Sequence, residues 1–264
     1  MAYETLEIDD ARGVRTVWLN RPERRNAMND ILIRELNEAI DAAIADAGVR
    51  VIMLAGRGEA FCAGADLNWM KSGRQMSNDE SSQDAGGLAH AMRALYQSPK
   101  PTIARVHGSA FAGAMGLVGA CDLAVGSEET RFCLSEVKLG LLPAMISPYV
   151  IRAIGERHAR RLMLTAEVFQ APMAQRLGLL HESVPRAELD GTVARLIDQL
   201  LLGSPTALGE TKRLIRDVVG KPIDDDLTAM TAARIGAART TDDAQEGITA
   251  FFEKRKPRWV PKAD

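Results

Sequence analysis

Two stretches of small residues stand where backbone chemistry is possible. GRGEAFCAGADL (56–67) directly follows the apolar run VIMLA, and GSAFAGAMGL (108–117) takes up where the apolar TIARV run ends. Glycine and alanine at a strand-to-helix turn let the backbone approach a ligand and leave N–H groups free to point at it. Two such turns from neighbouring strands can converge on one oxygen and stabilise negative charge developing there. A helix starting after Gly113 would add the partial positive charge of its N-terminus. Taken singly, either stretch serves as well for close helix–sheet packing; the pair carries the argument. The side chain best suited to proton transfer is Glu136, read as the end of an apolar strand, RFCLSE. Apolar surroundings disfavour the charged carboxylate and raise its pKa towards the range useful for a base. The alternative is an ordinary strand-end Glu paired with Lys138 or an Arg.

Other chemistries find no support in the pattern. There is no GxGxxG opening a strand–helix unit, no GxxxxGK[ST] and no GxSxG elbow. The three cysteines, Cys62, Cys121 and Cys133, form no CxxC pair and sit among apolar neighbours, as buried thiols do. The four histidines, His90, His107, His158 and His181, show no metal-ligand spacing, so no metal is expected.

The elements that must position these residues alternate. VRTVWLN (14–20) reads as a strand. Asn29 or Asp30 caps a helix to about Ala47, with Leu32, Leu36, Ala39, Ile40 and Ala43 on one face, and Gly48 closes it. VRVIMLA (49–55) and TIARVHG (102–108) read as buried strands, with a helix over 88–97 between them. Residues 72–87, polar and rich in Gly and Ser, look least ordered and are expected to form a mobile lid. Ala110–Ala120 reads as a tightly packed helix, and DLAVGS (122–127) and RFCLSEV (131–137) as strands. From Pro205 onwards only helices are expected, over 205–219, 224–238 and 242–255. The fold class is therefore α/β, with a core over 1–195 and a helical appendage over 196–264.

The chain has 264 residues and a formal net charge of -2, so nothing draws it as a whole to nucleic acid or an anionic membrane. No apolar run is long enough to span a bilayer, and the acidic start MAYETLEIDDARG has no signal-peptide pattern, so a cytoplasmic address is expected.

Taken together, WLNRPERRNAM (18–28), FCAGADLNWM (61–70), HGSAFAGAMGLVGACDLAV (107–125), FCLSEVKLGLLPA (132–144), GLLHESVP (178–185) and EGITAFFEKRKP (246–257) resemble the enoyl-CoA hydratase/isomerase, or crotonase, family. The resemblance implies a spiral of ββα units and a helical C-terminal region that drives a homotrimer or a hexamer built as a dimer of trimers. It assigns the oxyanion N–H groups to Ala65 and Gly113. It places the adenine end of coenzyme A against Ala63, Ala65, Asp66 and Leu67, and its phosphates near Arg25. Phe251 and Lys254 would reach the coenzyme A site of a neighbouring subunit. Coenzyme A is then part of the acyl-CoA thioester substrate, and no separate cofactor is expected. Trp69, Met70, Met115 and Ile146 are candidates for the acyl pocket. Glu136 matches the second of the family's two catalytic glutamates, whereas the first position is Gly116. The stretch GxxPGxGGT reads GLLPAMISPYV (140–150) here.

Within the family the motifs look most like hydratases of branched acids, such as 3-methylglutaconyl-CoA or γ-carboxygeranoyl-CoA. Lys71 and Arg74 are the nearest cations for a distal carboxylate. Reversible hydration of a 2-enoyl-CoA is the expectation. Isomerisation of Δ3- to Δ2-enoyl-CoA by a single Glu is the alternative, and an inactive CoA-thioester-binding protein a further one.

Overall fold

A computed structural model describes residues 3–72 and 77–261. The first two strands, β1 (Leu6–Ala11) and β2 (Val14–Leu19), form a hairpin, and α1 (Asp30–Ala45) follows. β3 (Val51–Gly56) leads to the short α2 (Leu67–Ser72) and to α3 (Asn78–Gln97). Two passes of the same kind come next. β4 (Thr102–Val106), β5 (Ser109–Phe111) and α4 (Gly113–Ala120) make one; β6 (Leu123–Ser127), β7 (Arg131–Cys133) and α5 (Ser147–Thr165) make the other. β8 (Phe169–Gln170), α6 (Ala171–Leu177) and β9 (Glu182–Val184) close the core. The helices α7 (Leu189–Leu202), α8 (Pro205–Val218), α9 (Asp225–Arg239) and α10 (Asp242–Phe252) end the chain.

The main sheet has the order β1-β2-β3-β4-β6-β9, and every pairing after the β1–β2 hairpin is parallel. A second sheet orders β5-β7-β8. The β4–β5–α4 and β6–β7–α5 passes each give one strand to each layer and then a helix, whereas β1 and β2 both lie in the main sheet, and the passes stack as turns of a spiral. Single bridges, Met28 to Ala65 and Cys62 to Ala110, carry the second layer across the earlier turns.

The α1 pattern behaves as its spacing predicts. Leu32, Leu36, Ala39, Ile40 and Ala43 are all buried, and the Asn29 side chain accepts from the Leu32 N–H at 3.0 Å. The helix ends at Asp46, two residues before Gly48. The β1 strand was not expected: only Leu6 of its six residues is buried, so an exposed edge left no alternating pattern.

Three expectations need correction. The polar segment 78–87 is helical, the first half of α3. Ser77 and Glu80 form a reciprocal capping box: the Glu80 carboxylate accepts from Ser77 N–H at 2.8 Å, and Ser77 Oγ accepts from Glu80 N–H at 3.3 Å. Residues 73–76 of the expected lid lie outside the described residues. The strand expected over 131–137 stops at Cys133; Ser135 turns to helical backbone, and Glu136–Leu139 is a 3-10 turn closed by Gly140 at φ 72°. The helix expected from Ala110 starts at Gly113, because Ser109–Phe111 pairs as a strand with Arg131–Cys133.

The division placed at 195/196 falls inside α7, which runs unbroken and packs Leu189, Val193 and Leu201 against Val51, Ile103 and Val125 of the main sheet. Beyond it, α8 and α9 bury no residue within the chain. Among the described residues no helix is long and apolar enough to cross a membrane.

Candidate active site

Gly64 determines the direction of the first N–H donor. Its φ of +100° lies where a side chain is strained. On either side of it the backbone is tied to the 25–28 segment: Ala63 N–H donates to Arg25 O at 3.0 Å, Met28 N–H to Gly64 O at 2.8 Å, and Asp66 N–H to Met28 O at 2.8 Å. Gly64 reverses the alternation, so the Ala65 N–H is left out of this ladder. Among the described residues it has no acceptor.

Gly113 supplies a second donor of the same kind. It is the first residue of α4, so its N–H has no partner inside the helix. Ala112 before it is held at φ 50°, ψ -120°, a costly conformation for alanine. The Ala112 N–H donates to Cys133 O at 2.8 Å, which anchors the turn to the next pass of the spiral. There is no room for a side chain at Gly113: a Cβ would lie 2.6 Å from Met28 Cε and 3.0 Å from Leu88 Cδ2. The Cys62–Ala110 bridge sets the two turns side by side, with Gly64 against Phe111.

Glu136 opens the 3-10 turn that follows β7, one pass further on. It is half-buried, and its Oε2 is buried with no hydrogen-bond partner among the described residues. Desolvation pushes its carboxyl above the usual Glu range, against a smaller opposing effect of its own N–H. A carboxylate with an idle oxygen and a raised pKa is suited to accept a proton. At Gly116, where a second glutamate was looked for, the space is filled. A Cβ would come within 2.4 Å of Ile146 Cγ2 and 2.5 Å of Met92 Sδ.

Asp66 is buried and pairs with Arg21 at 3.1 Å. Burial pushes its carboxyl up, but bonds from the Asn68 N–H, Arg21 and the Trp69 N–H outweigh that and hold it below the usual Asp range. Arg21 also donates to Ala27 O at 2.5 Å. Asn26, wholly buried, accepts from Arg21 N–H at 2.8 Å and donates to Arg57 O at 2.9 Å and Ala60 O at 2.8 Å. Arg21 and Asn26 therefore brace the turn that presents Ala65. Sequence reasoning named Arg25 and missed both; the signal available was their place in NRPERRN, where the backbone turns left-handed at Arg25 and Asn26.

The remaining candidates are spread more widely. Arg25 and Leu67 are exposed beside the first turn, and Ala63 is half-buried. Trp69 and Met70 are half-buried on α2. Trp69 lines an open cleft of about 320 Å³ with Arg21, Arg24, Asn29, Asp30, Asp66 and Asn68. Met115 and Ile146 are 0% and 2% exposed inside the main core, so neither opens onto that cleft. Lys71 is exposed, and Arg74 lies outside the described residues. Phe251 and Lys254 are exposed at the end of α10. Nearby Trp259 packs on Gly247 and bonds to Leu202 O, and Arg50 reaches Trp259 O at the start of β3. That is the end of the strand opposite to Ala65, so the chain does not bring these two residues to its own site. Cys62 is buried, which pushes its thiol up to about 12 and leaves it inert. His107 Nε2 lies 2.9 Å from Gly58 O, and burial pushes its pKa down.

Residues 9–262 match the family described as enoyl-CoA hydratase/isomerase. A relative from Thermus thermophilus is 39% identical over 246 residues, covering 93% of this chain and 97% of its own. The crotonyl-CoA hydratase of Syntrophomonas wolfei is 30% identical, with 99% of this chain and 100% of that protein covered. Among solved structures, an enoyl-CoA hydratase from Shewanella pealeana superposes with a TM-score of 0.94 at 41% identity, covering 97% of this chain and 96% of that one. With a spiral of ββα passes and a match along nearly its whole length, the chain belongs to the enoyl-CoA hydratase/isomerase family.

Proposed function

We propose that this protein hydrates a 2-enoyl-CoA thioester reversibly. The observation that carries the reading is the combination of two N–H groups, at Ala65 and Gly113, that have no acceptor among the described residues, with a half-buried carboxylate, Glu136, whose buried Oε2 is idle among those residues. The thioester oxygen sits between the two N–H groups. Glu136 takes a proton from water as the water oxygen bonds to C3, and negative charge moves through C2 to the thioester oxygen, where the donors hold it. Protonation of C2 completes the addition.

Arg25, exposed beside the first turn, meets the coenzyme A phosphates, and Ala63, Ala65, Asp66 and Leu67 meet the adenine end. Phe251 and Lys254 serve the site of a neighbouring subunit in a homotrimer or a dimer of trimers. Their position at the far end of β3 from their own site, and the apolar surface left open at Ile223, Ile235 and Phe251, support that reading. The favoured substrate is a branched enoyl thioester of the 3-methylglutaconyl type.

A second reading rests on Gly116. With Ile146 and Met92 filling the space of a side chain there, α4 contributes no carboxylate, and one base suffices to move a proton from C2 to C4 in a 3-enoyl-CoA. Product analysis with 2-enoyl-, 3-enoyl- and 3-methylglutaconyl-CoA decides. A 3-hydroxyacyl-CoA product supports hydration; conversion of the 3-enoyl thioester alone replaces it with isomerisation.

A further inference from the structure

Asp84 is a carboxylate that the reading so far leaves unused. It lies on α3 at the start of an i, i+4, i+8 row with Leu88 and Met92. That row faces α4 from its first turn inwards. Leu88 Cδ2 lies 3.0 Å from where a Cβ of Gly113 would stand, and Met92 Sδ lies 2.5 Å from the same point at Gly116. Asp84 is one helical turn, about 6 Å, beyond Leu88 along that row. The opposite side is fixed as well, because the Asp84 carboxylate bonds to Trp69 on α2, which follows directly from the Ala65 turn. Asp84 therefore stands between the elements that present the two N–H donors. It is half-buried, and among the described residues the groups that act on it from the neighbouring elements are Trp69 on α2 and Asp30 on α1.

We infer that Asp84 is the second proton-handling carboxylate of this site, supplied by α3 in place of the one that α4 lacks at Gly116. The inference rests on the hydration reading and deepens it. Glu136 takes the proton of the attacking water while oxygen bonds to C3. The C2–C3 π pair moves to C2, and Asp84, in its acid form, gives its proton to C2. The proton left on Glu136 returns to Asp84 through solvent, so one water is added and both carboxyls are restored. Desolvation and the nearby Asp30 raise the Asp84 pKa, against the indole bond, which favours the acid form that the step needs. The two carboxylates then serve different carbons, Glu136 the oxygen side at C3 and Asp84 the proton at C2.

The test follows hydration of crotonyl-CoA and, separately, exchange of the C2 hydrogens of 3-hydroxybutyryl-CoA in D2O. Asp84→Asn is expected to lower both by at least about tenfold, within the range of general acid–base groups, with thioester affinity unchanged and no fall in melting temperature. Asp84→Glu, which keeps a carboxyl, is expected to recover part of each. Glu136→Gln is expected to lower hydration by roughly 10²–10⁴-fold while C2 exchange persists. Survival of C2 exchange in Asp84→Asn, or its loss in Glu136→Gln, overturns the assignment and returns both protons to Glu136. The hydration reading fails separately, if the wild-type protein exchanges C2 hydrogens but adds water to no enoyl thioester.

Discussion

Ile146 occupies the position that a side chain at residue 116 would need: its Cγ2 lies 2.4 Å from where a Gly116 Cβ would stand, closer than real carbon atoms approach. Ile146 is 2% exposed and belongs to the main core, so it has little room to retreat. Gly116 is therefore a packing requirement of the α4–α5 contact, and the loss of a carboxylate there is built into the core.

Restoring that carboxylate by Gly116→Glu alone is expected to fail. Overpacking a well-filled core costs about 1–3 kcal/mol even for small additions, and a buried unpaired carboxylate adds to it. Gly116→Ala is the cleaner probe and should lower the melting temperature. Combined with Ile146→Ala, which removes the clashing Cγ2, it should cost less than the two single losses together. A thermal-melt double-mutant cycle measures the coupling; additive losses would show that the two sites do not compete for space.

Glu136→Gln is expected to cut turnover by roughly 10²–10⁴-fold and to leave thioester affinity nearly unchanged, since binding rests on backbone groups and coenzyme A contacts. Steady-state kinetics with a binding titration checks this. Near wild-type turnover would make Glu136 structural.

The same residue gives a stability prediction with a definite sign. Its folded-state pKa is raised by burial, so between the unfolded and folded values the native state binds more protons than the unfolded chain. Stability then falls as pH rises through that window. Glu136→Gln should therefore melt higher than wild type at neutral pH, and the gain should vanish as pH drops below the ordinary Glu range. A variant that melts lower at neutral pH would contradict this.

Arg21 is predicted to act on the first donor through Asp66 and Ala27 O. Arg21→Lys keeps the charge but replaces the planar fork, whose Nη1 and Nη2 make the two contacts separately, with one compact ammonium. Loss of a buried charged hydrogen bond costs about 1.5–3 kcal/mol, readable in a melt. Turnover should fall with it while the substrate panel keeps its order. Unchanged turnover in a folded Arg21→Lys would detach Arg21 from the site.

In solution the protein is expected to be a trimer or hexamer by light scattering at micromolar concentration. Phe251 is 78% exposed on a single chain, and Phe251→Ala should weaken thioester binding if it serves a neighbouring site. A monomer at that concentration would remove the basis for both statements.

By itself the sequence determined the periodic and the local parts of this protein. The apolar stripe of α1 is complete in Leu32, Leu36, Ala39, Ile40 and Ala43 because a helix face is written at fixed spacing. The small-residue turns at Gly64 and Gly113 are legible because only such residues suit a positive φ or a site where Met28 and Leu88 leave no space. The helical character of the chain after Pro205 was legible because helix-forming runs follow one another there with no strand pattern between them. Even the start of α3 was written in Ser77 and Glu80, although the Gly- and Ser-rich composition around it pointed to a lid. Tertiary structure alone decided the rest. That Glu136 sits in a 3-10 turn with a buried idle oxygen depends on where β7 stops pairing. That Gly116 is forced by Ile146, that Arg21 clamps Asp66, and that Asp84 meets Trp69 are relations between residues 30, 45 and 15 positions apart. No local propensity encodes such pairs, because they arise only when the passes of the spiral are stacked.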